Sequence, residues 1–208
     1  MTIRSFTFLL AAAFALAAWS AQAQEHVSHG RFVDVALYRP AGEPKSFVLF
    51  LSGDGGWNRG VDGMAESLAA EGALVAGVDV PKFLASFSGD GASCVNPDGD
   101  LENLSHYLQG YAQLPTYFTP LLVGYSSGAT LAYAMLAQAP SGTFAGAISL
   151  GFCPELDLAV PPCHGDGLRF ETRQSHKSVD LTASSTLGGP WWALHGEQDS
   201  VCDISATR

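Results

Sequence analysis

The 208-residue chain is 47% apolar and 14% charged, with 23 glycines and 11 prolines, which excludes a disordered, collagen-like or coiled-coil protein. Ten basic against twenty acidic residues give a formal charge of −10, so the chain offers no phosphate-neutralising surface and nucleic acid is not an expected partner.

The first element in chain order is a leader. Met1 to Arg4 is a short positive start, an apolar run covers 6–19, and Ala21 and Ala23 supply the small residues that signal peptidase accepts. The run is shorter than the roughly 17 to 25 apolar residues of a membrane-spanning helix, and no Cys follows the cleavage point to take a lipid. The expectation is a signal peptide over 1–23 and a mature domain over 24–208 with no stable membrane anchor. An exported, oxidising compartment follows, most simply a bacterial periplasm. Arg4 leaves with the leader, so the mature domain is more acidic still.

Six runs rich in β-branched and aromatic residues follow, at 32–38, 47–51, 74–80, 121–124, 144–150 and 191–194, and these read as strands. Between them, 61–71 and 101–111 carry apolar residues at helical spacing, and 127–138 is an Ala-rich helix stopped by Pro140. Nearly continuous apolar strands such as FVLFL are buried on both faces, as in a parallel sheet covered by helices. The expected class is a three-layer α/β domain with a mostly parallel sheet and one core. Residues 151–190, dense in Pro and Gly, break the rhythm and read as an irregular lid insertion.

All four cysteines, Cys94, Cys153, Cys163 and Cys202, lie in the mature part, and four cysteines allow three pairings. The short spacing favours Cys153 with Cys163. No CxxC occurs and His164 has no partners at zinc-ligand spacing, so no metal is expected.

The pentapeptide Gly124-Tyr125-Ser126-Ser127-Gly128 matches G-x-S-x-G. It sits between an apolar strand and an Ala-rich helix, the strand–turn–helix context that lifts a serine oxygen above a sheet. A Ser that merely caps the helix is the bland alternative. Acyl transfer also needs donors for the oxyanion. The Ser127 backbone N–H at the helix start would be one, and the Gly-rich turn after 47–51 would give the other through Asp54 or Gly53. A phosphate loop is excluded by residue type: no Lys-Ser/Thr follows the glycines, and Asn58 stands where a dinucleotide fingerprint requires Gly. No cofactor is expected.

The orienting acid of a triad should follow a later strand. Asp199 has that place, after the run 191–194, with Glu197 and Asp203 as alternatives. The base is harder to place. His26, His29 and His106 precede the nucleophile, His164 and His176 lie in the insertion, and His195 stands four residues before the acid, where it reads as a partly buried strand-end residue. The expectation is that a last strand, a helix and the triad His lie beyond Arg208, because 191–194 would otherwise form a bare apolar sheet edge.

The blocks LSGDGGW (51–57), GYSSGA (124–129) and HGEQD (195–199) resemble the VirJ/AcvB family of bacterial virulence-associated periplasmic proteins. LSGDGGW is the specific part; the other two are shared among α/β-hydrolases. The resemblance spans about residues 45 to 200 and implies an exported α/β-hydrolase with Ser126 as nucleophile and Asp199 as acid. Its AcvB branch implies hydrolysis of aminoacyl-phosphatidylglycerol, and its VirJ branch implies association with type IV secretion proteins. The sequence departs from the pattern in having no C-terminal His.

Two functions compete. One is a serine esterase acting on an ester or aminoacyl-phospholipid substrate. The other is a non-catalytic periplasmic binding or chaperone-like component of a secretion system. A sugar-binding surface around Trp57, Trp191 and Trp192 is a weaker third, since Trp at strand ends more often fills core.

Overall fold

The computed structural model describes residues 24–89, 91–173 and 178–207; the leader over 1–23 and His176 lie outside them. Strands β1 (Glu25–His29), β2 (Phe32–Tyr38) and β3 (Ser46–Leu51) lead into helix α1 (Arg59–Ala70). Strand β4 (Ala73–Val78), helices α2 (Val80–Ala85) and α3 (Pro97–Tyr111), strand β5 (Leu121–Tyr125), helix α4 (Ser127–Gln138) and strand β6 (Gly146–Leu150) follow. Three short strands, β7 (Glu155–Asp157), β8 (Arg169–Arg173) and β9 (Ser178–Thr182), precede β10 (Trp191–Leu194).

Seven strands form one sheet in the order β1-β2-β4-β3-β5-β6-β10. The joints from β4 to β10 are parallel, and β1 and β2 are added antiparallel at one edge. Side chains alternate across β3: Phe47, Leu49 and Leu51 pack with α2, α3 and α4, whereas Val48 and Phe50 pack with α1. This makes the three layers. Phe47, Leu49, Phe50 and Leu51 are fully buried, and at about 2 kcal/mol for each such side chain, β3 is a firm base for the turn that follows it. At the other edge β10 exposes Trp192 (55%) and Leu194 (60%).

Three features differ from the sequence reading. The run 74–80 ends as a strand at Val78, because Asp79 caps α2 by accepting from Lys82 N–H at 3.0 Å, with Pro81 in the first turn. Strand β1 was not expected: its five residues, EHVSH, hold a single buried apolar side chain. Residues 151–190 are not irregular throughout but contain an antiparallel sheet ordered β7-β9-β8. Its strands span three to five residues, too few for a period to show, and Leu156, Val179 and Leu181 tie it to the core beside α4.

The cysteine pairing also requires correction. Cys163 pairs with Cys94, not Cys153, across Cα atoms 5.0 Å apart, and Cys153 pairs with Cys202 across 5.4 Å. Both bonds join segments distant in the chain. Chain spacing favoured the local partner, but the backbone bridge Val95–Pro162 brings Cys94 beside Cys163 instead.

Candidate active site

Ser126 occupies the one-residue corner between β5 and α4, at φ 56° and ψ −126°. A side chain in this left-handed region is strained by about 1 to 3 kcal/mol. The neighbours permit the bend. A Cβ at Gly124 would overlap the Gly128 carbonyl, and one at Gly128 would overlap the carbonyls of Leu51 and Ser52. Both flanking glycines are therefore required by close backbone approach. Ser126 N–H donates to Leu150 O at 2.9 Å, which fixes the corner to the end of β6. Ser127, the first residue of α4, has an N–H without an acceptor inside the helix.

The turn after β3 meets this corner. Gly56 N–H donates to Gly53 O at 3.0 Å, and a Cβ at Gly53 would lie 3.0 Å from Ser126 Cβ. Gly53, Asp54, Asn58, Met64, Tyr125 and Ser126 are among the residues lining a cavity of about 350 Å³. Asn58 caps α1 by accepting from Gly60 N–H at 2.9 Å. Trp57 lies over β4, where only a glycine at 77 leaves room for its ring. Its Nε1–H donates to the Tyr38 hydroxyl at 3.0 Å, and that hydroxyl donates to Asp62 at 2.5 Å. Burial, then the Asp62 acceptor, pushes the Tyr38 hydroxyl far above the usual phenol range, so it stays a donor.

Asp199 lies in the turn after β10. Its Oδ1 accepts from Val201 N–H at 2.8 Å and Cys202 N–H at 3.2 Å, and its Oδ2 lies 3.4 Å from His195 Nε2. A Cβ at Gly151 would be 3.9 Å from that same Oδ2. Ser126 and Asp199 therefore both lie against the Leu150–Gly151 step. The Cys153–Cys202 bond ties the acid-bearing turn to the chain just past β6. Of the two alternative acids, Glu197 is exposed, and Asp203 accepts from Ser205 N–H at 2.8 Å at the start of a final 3₁₀ turn.

The Val201 and Cys202 amides, with a smaller contribution from His195, hold the Asp199 carboxyl below the usual aspartate range. A group depressed on folding stabilises the fold above its unfolded pKa, near pH 4, and that contribution is lost as pH falls through the lower folded value. In an NMR titration the Asp199 carboxyl is expected to titrate below about pH 4, with the Val201 and Cys202 amide shifts following it. A midpoint above pH 4 would contradict this hydrogen bonding.

The described histidines are engaged away from Ser126. His195 has a side chain only 3% exposed, its Nε2 lies 2.8 Å from Cys202 O, and its Nδ1 is buried without a hydrogen-bond partner. His164 bonds Leu168 O through Nδ1 and stacks on Phe170. His106 stacks on Tyr117, His29 on Tyr107, and His26 pairs with Asp34. Trp57 and Trp191 do not share a surface: Trp57 packs on Phe50, and Trp191 packs between Tyr133 and Phe152 with the core on the other face of the sheet.

One residue at this end of the sheet escapes the sequence reading. Asp79 accepts from Trp57 N–H at 3.1 Å and so holds the glycine turn. Its signal was present as Asp79-Val80-Pro81, a helix-start pattern, but the apolar run around Val78 and Val80 concealed it.

Residues 45–146 match the family model of VirJ, described as bacterial virulence protein (VirJ). No curated protein matches the chain. TT1662 from Thermus thermophilus superposes with a TM-score of 0.55 at 14% identity, over 88% of this chain and 78% of that one. Thermogutta terrifontis esterase 2, phosphorylated by paraoxon, gives 0.55 at 16% identity, over 89% and 74%. A lipase in its open form gives 0.43 at 22% identity, over 63% of this chain and 44% of that one. The chain spans about half the length of that lipase and of the native-form esterase match, 44% and 52% respectively. The chain has the α/β-hydrolase fold, and over residues 45–146 it is similar to the VirJ family of bacterial virulence proteins.

Proposed function

We propose that the protein is a serine hydrolase of the esterase type. The observation that carries this reading is the strained Ser126 corner set against the Gly53–Gly56 turn, with both lining one cavity. A serine held in this way, at a conformational cost, has its hydroxyl clear of its own backbone. In the reaction, Ser126 Oγ attacks an ester carbonyl and its proton passes to a base. The carbonyl oxygen becomes an oxyanion facing the Ser127 amide and the amide of Gly53 or Asp54. The alcohol leaves with a proton, and water then releases the acid from Ser126. Asp199 keeps Oδ1 on the Val201 and Cys202 amides, and its Oδ2, which has His195 Nε2 at 3.4 Å, is the oxygen that would orient the imidazole that moves the proton.

The finer reading is an aminoacyl-phospholipid as substrate, in the periplasm, with secretion-system proteins as partners. It rests on the resemblance of LSGDGGW, on the leader pattern over 1–23, and on an acidic chain that attracts a cationic head group. Among the described residues no helix is long and apolar enough to cross a membrane. A second reading, a binding component without chemistry, is favoured by one observation: every described histidine is engaged away from Ser126.

Treatment with a fluorophosphonate separates the two. The esterase reading expects one covalent adduct, mapped by peptide mass spectrometry to Ser126. An unmodified Ser126 in the folded protein would leave only the binding component.

A further inference from the structure

The turn facing Ser126 is held from behind by the segment that follows β4. Ser52 N–H donates to Val78 O at 3.0 Å, and Ser52 Oγ accepts from Val80 N–H at 3.0 Å. These bonds fix the start of the turn. Its far end is held by Asn58, whose Nδ2 donates to Gly55 O at 3.2 Å, and by Asp79, which is 10% exposed. Asp79 Oδ1 accepts from Lys82 N–H at 3.0 Å, and Oδ2 accepts from Trp57 N–H at 3.1 Å. Gly56, at φ 70°, packs so closely that an added Cβ would lie 2.8 Å from Oδ2. A continuous path thus runs from Asp79 through Trp57 and Gly56 to Gly53, which touches Ser126.

Capping α2 requires a single acceptor, and asparagine caps a helix as well as aspartate does. The second oxygen is not needed for the cap: its one contact in α2 is the exposed Lys82 ammonium, 3.6 Å away, and an exposed pair of this kind adds little. An asparagine here, with its oxygen on the Lys82 amide, would turn its NH₂ toward Trp57 N–H, donor against donor. Only a carboxylate accepts at both ends. We propose that Asp79 is a positioning residue whose second oxygen sets the Gly53–Trp57 turn against Ser126. Its effect on catalysis rests on the esterase reading above; its effect on the turn does not. Oxyanion donors act only when placed at about 2.7 to 3.1 Å from the developing charge, and losing one costs about 100- to 1,000-fold in rate. Displacing the turn that carries one is therefore expected to slow acylation by about tenfold or more.

The test uses Asp79→Asn in the whole chain, with three measurements: amide hydrogen exchange over residues 53–57, the rate of fluorophosphonate labelling, and kcat and KM on a short p-nitrophenyl ester. Exchange over 53–57 should rise about tenfold while α2 and α4 stay protected. Labelling and kcat should fall about 10- to 100-fold, with KM within about twofold of wild type. Gly56→Ala strains the same contact from the turn side, should give the same pattern, and decides the matter if Asp79→Asn does not fold. Wild-type labelling in a folded variant overturns the proposal, and so does unchanged exchange over 53–57. If the wild-type chain is not labelled at all, the esterase reading is what fails. Exchange then decides alone: a rise confined to 53–57 upholds the positioning role of Asp79, and no rise ends it.

Discussion

Replacing Ser126 with glycine is expected to abolish fluorophosphonate labelling and ester turnover while making the fold more stable by about 1 kcal/mol. The two effects share one cause. At φ 56° the serine Cβ crowds its own backbone, a cost of about 1 to 3 kcal/mol that glycine does not bear. Glycine gives back about 0.5 to 1 kcal/mol through the greater freedom of its unfolded chain. The balance favours glycine. Ser126→Ala separates the contributions, since it keeps the strained Cβ and removes only the oxygen. Its stability should stay within about 0.5 kcal/mol of wild type while labelling is lost as fully as with glycine. Removing the nucleophile from a serine hydrolase costs about a million-fold in kcat, so any residual turnover should lie at the assay floor. Urea unfolding of the three proteins beside the labelling assay gives the comparison. A glycine variant less stable than the alanine variant would show that the corner is not strained, and the argument for a nucleophile would go with it.

Gly128→Ala is expected to destabilise the fold by at least about 3 kcal/mol. The methyl would fall on the carbonyls of Leu51 and Ser52, which belong to the end of β3 and cannot swing aside as a flexible side chain could. Relief requires α4 to move away from the sheet, opening the contact in which Gly53 meets Ser126. A chain of this size loses about 2 to 4 °C in Tm per kcal/mol, so a drop near 10 °C is expected, with labelling slowed in the protein that remains folded. Gly110→Ala in α3 is the control. Nothing lies within 4 Å of its added Cβ, and alanine there should stabilise by up to about 1 kcal/mol. Equal melting temperatures for Gly128→Ala and wild type would mean that the elbow does not rest on β3.

The sheet was readable because its central strands are apolar on both faces: FVLFL at 47–51 and ALVAGV at 73–78 cannot be half-exposed without loss. Helix α4 was readable to the residue, since Ala-rich chain between Ser126 and Pro140 leaves little choice. Strands β1, β7, β8 and β9 were not readable. Each is short, and its pairing rather than its own pattern makes it a strand. Helix α2 was hidden for a related reason: its first residue, Val80, is as apolar as the strand before it, and only the bonds of Asp79 mark the boundary.

By itself, then, the sequence determined the layered architecture, the glycine-flanked serine and the acid candidate at 199, because each depends on residues close together in the chain, where side-chain size and polarity act directly. Tertiary structure alone decided the pairing of Cys94 with Cys163 and Cys153 with Cys202, the engagement of His195 with Cys202 and Asp199, and the hold of Asp79 on Trp57. Most of these contacts close between elements that meet only when the strands line up side by side, and even the near ones depend on how a turn bends. No local pattern fixes which cysteine or amide a given side chain finds, because that choice belongs to the register of the sheet.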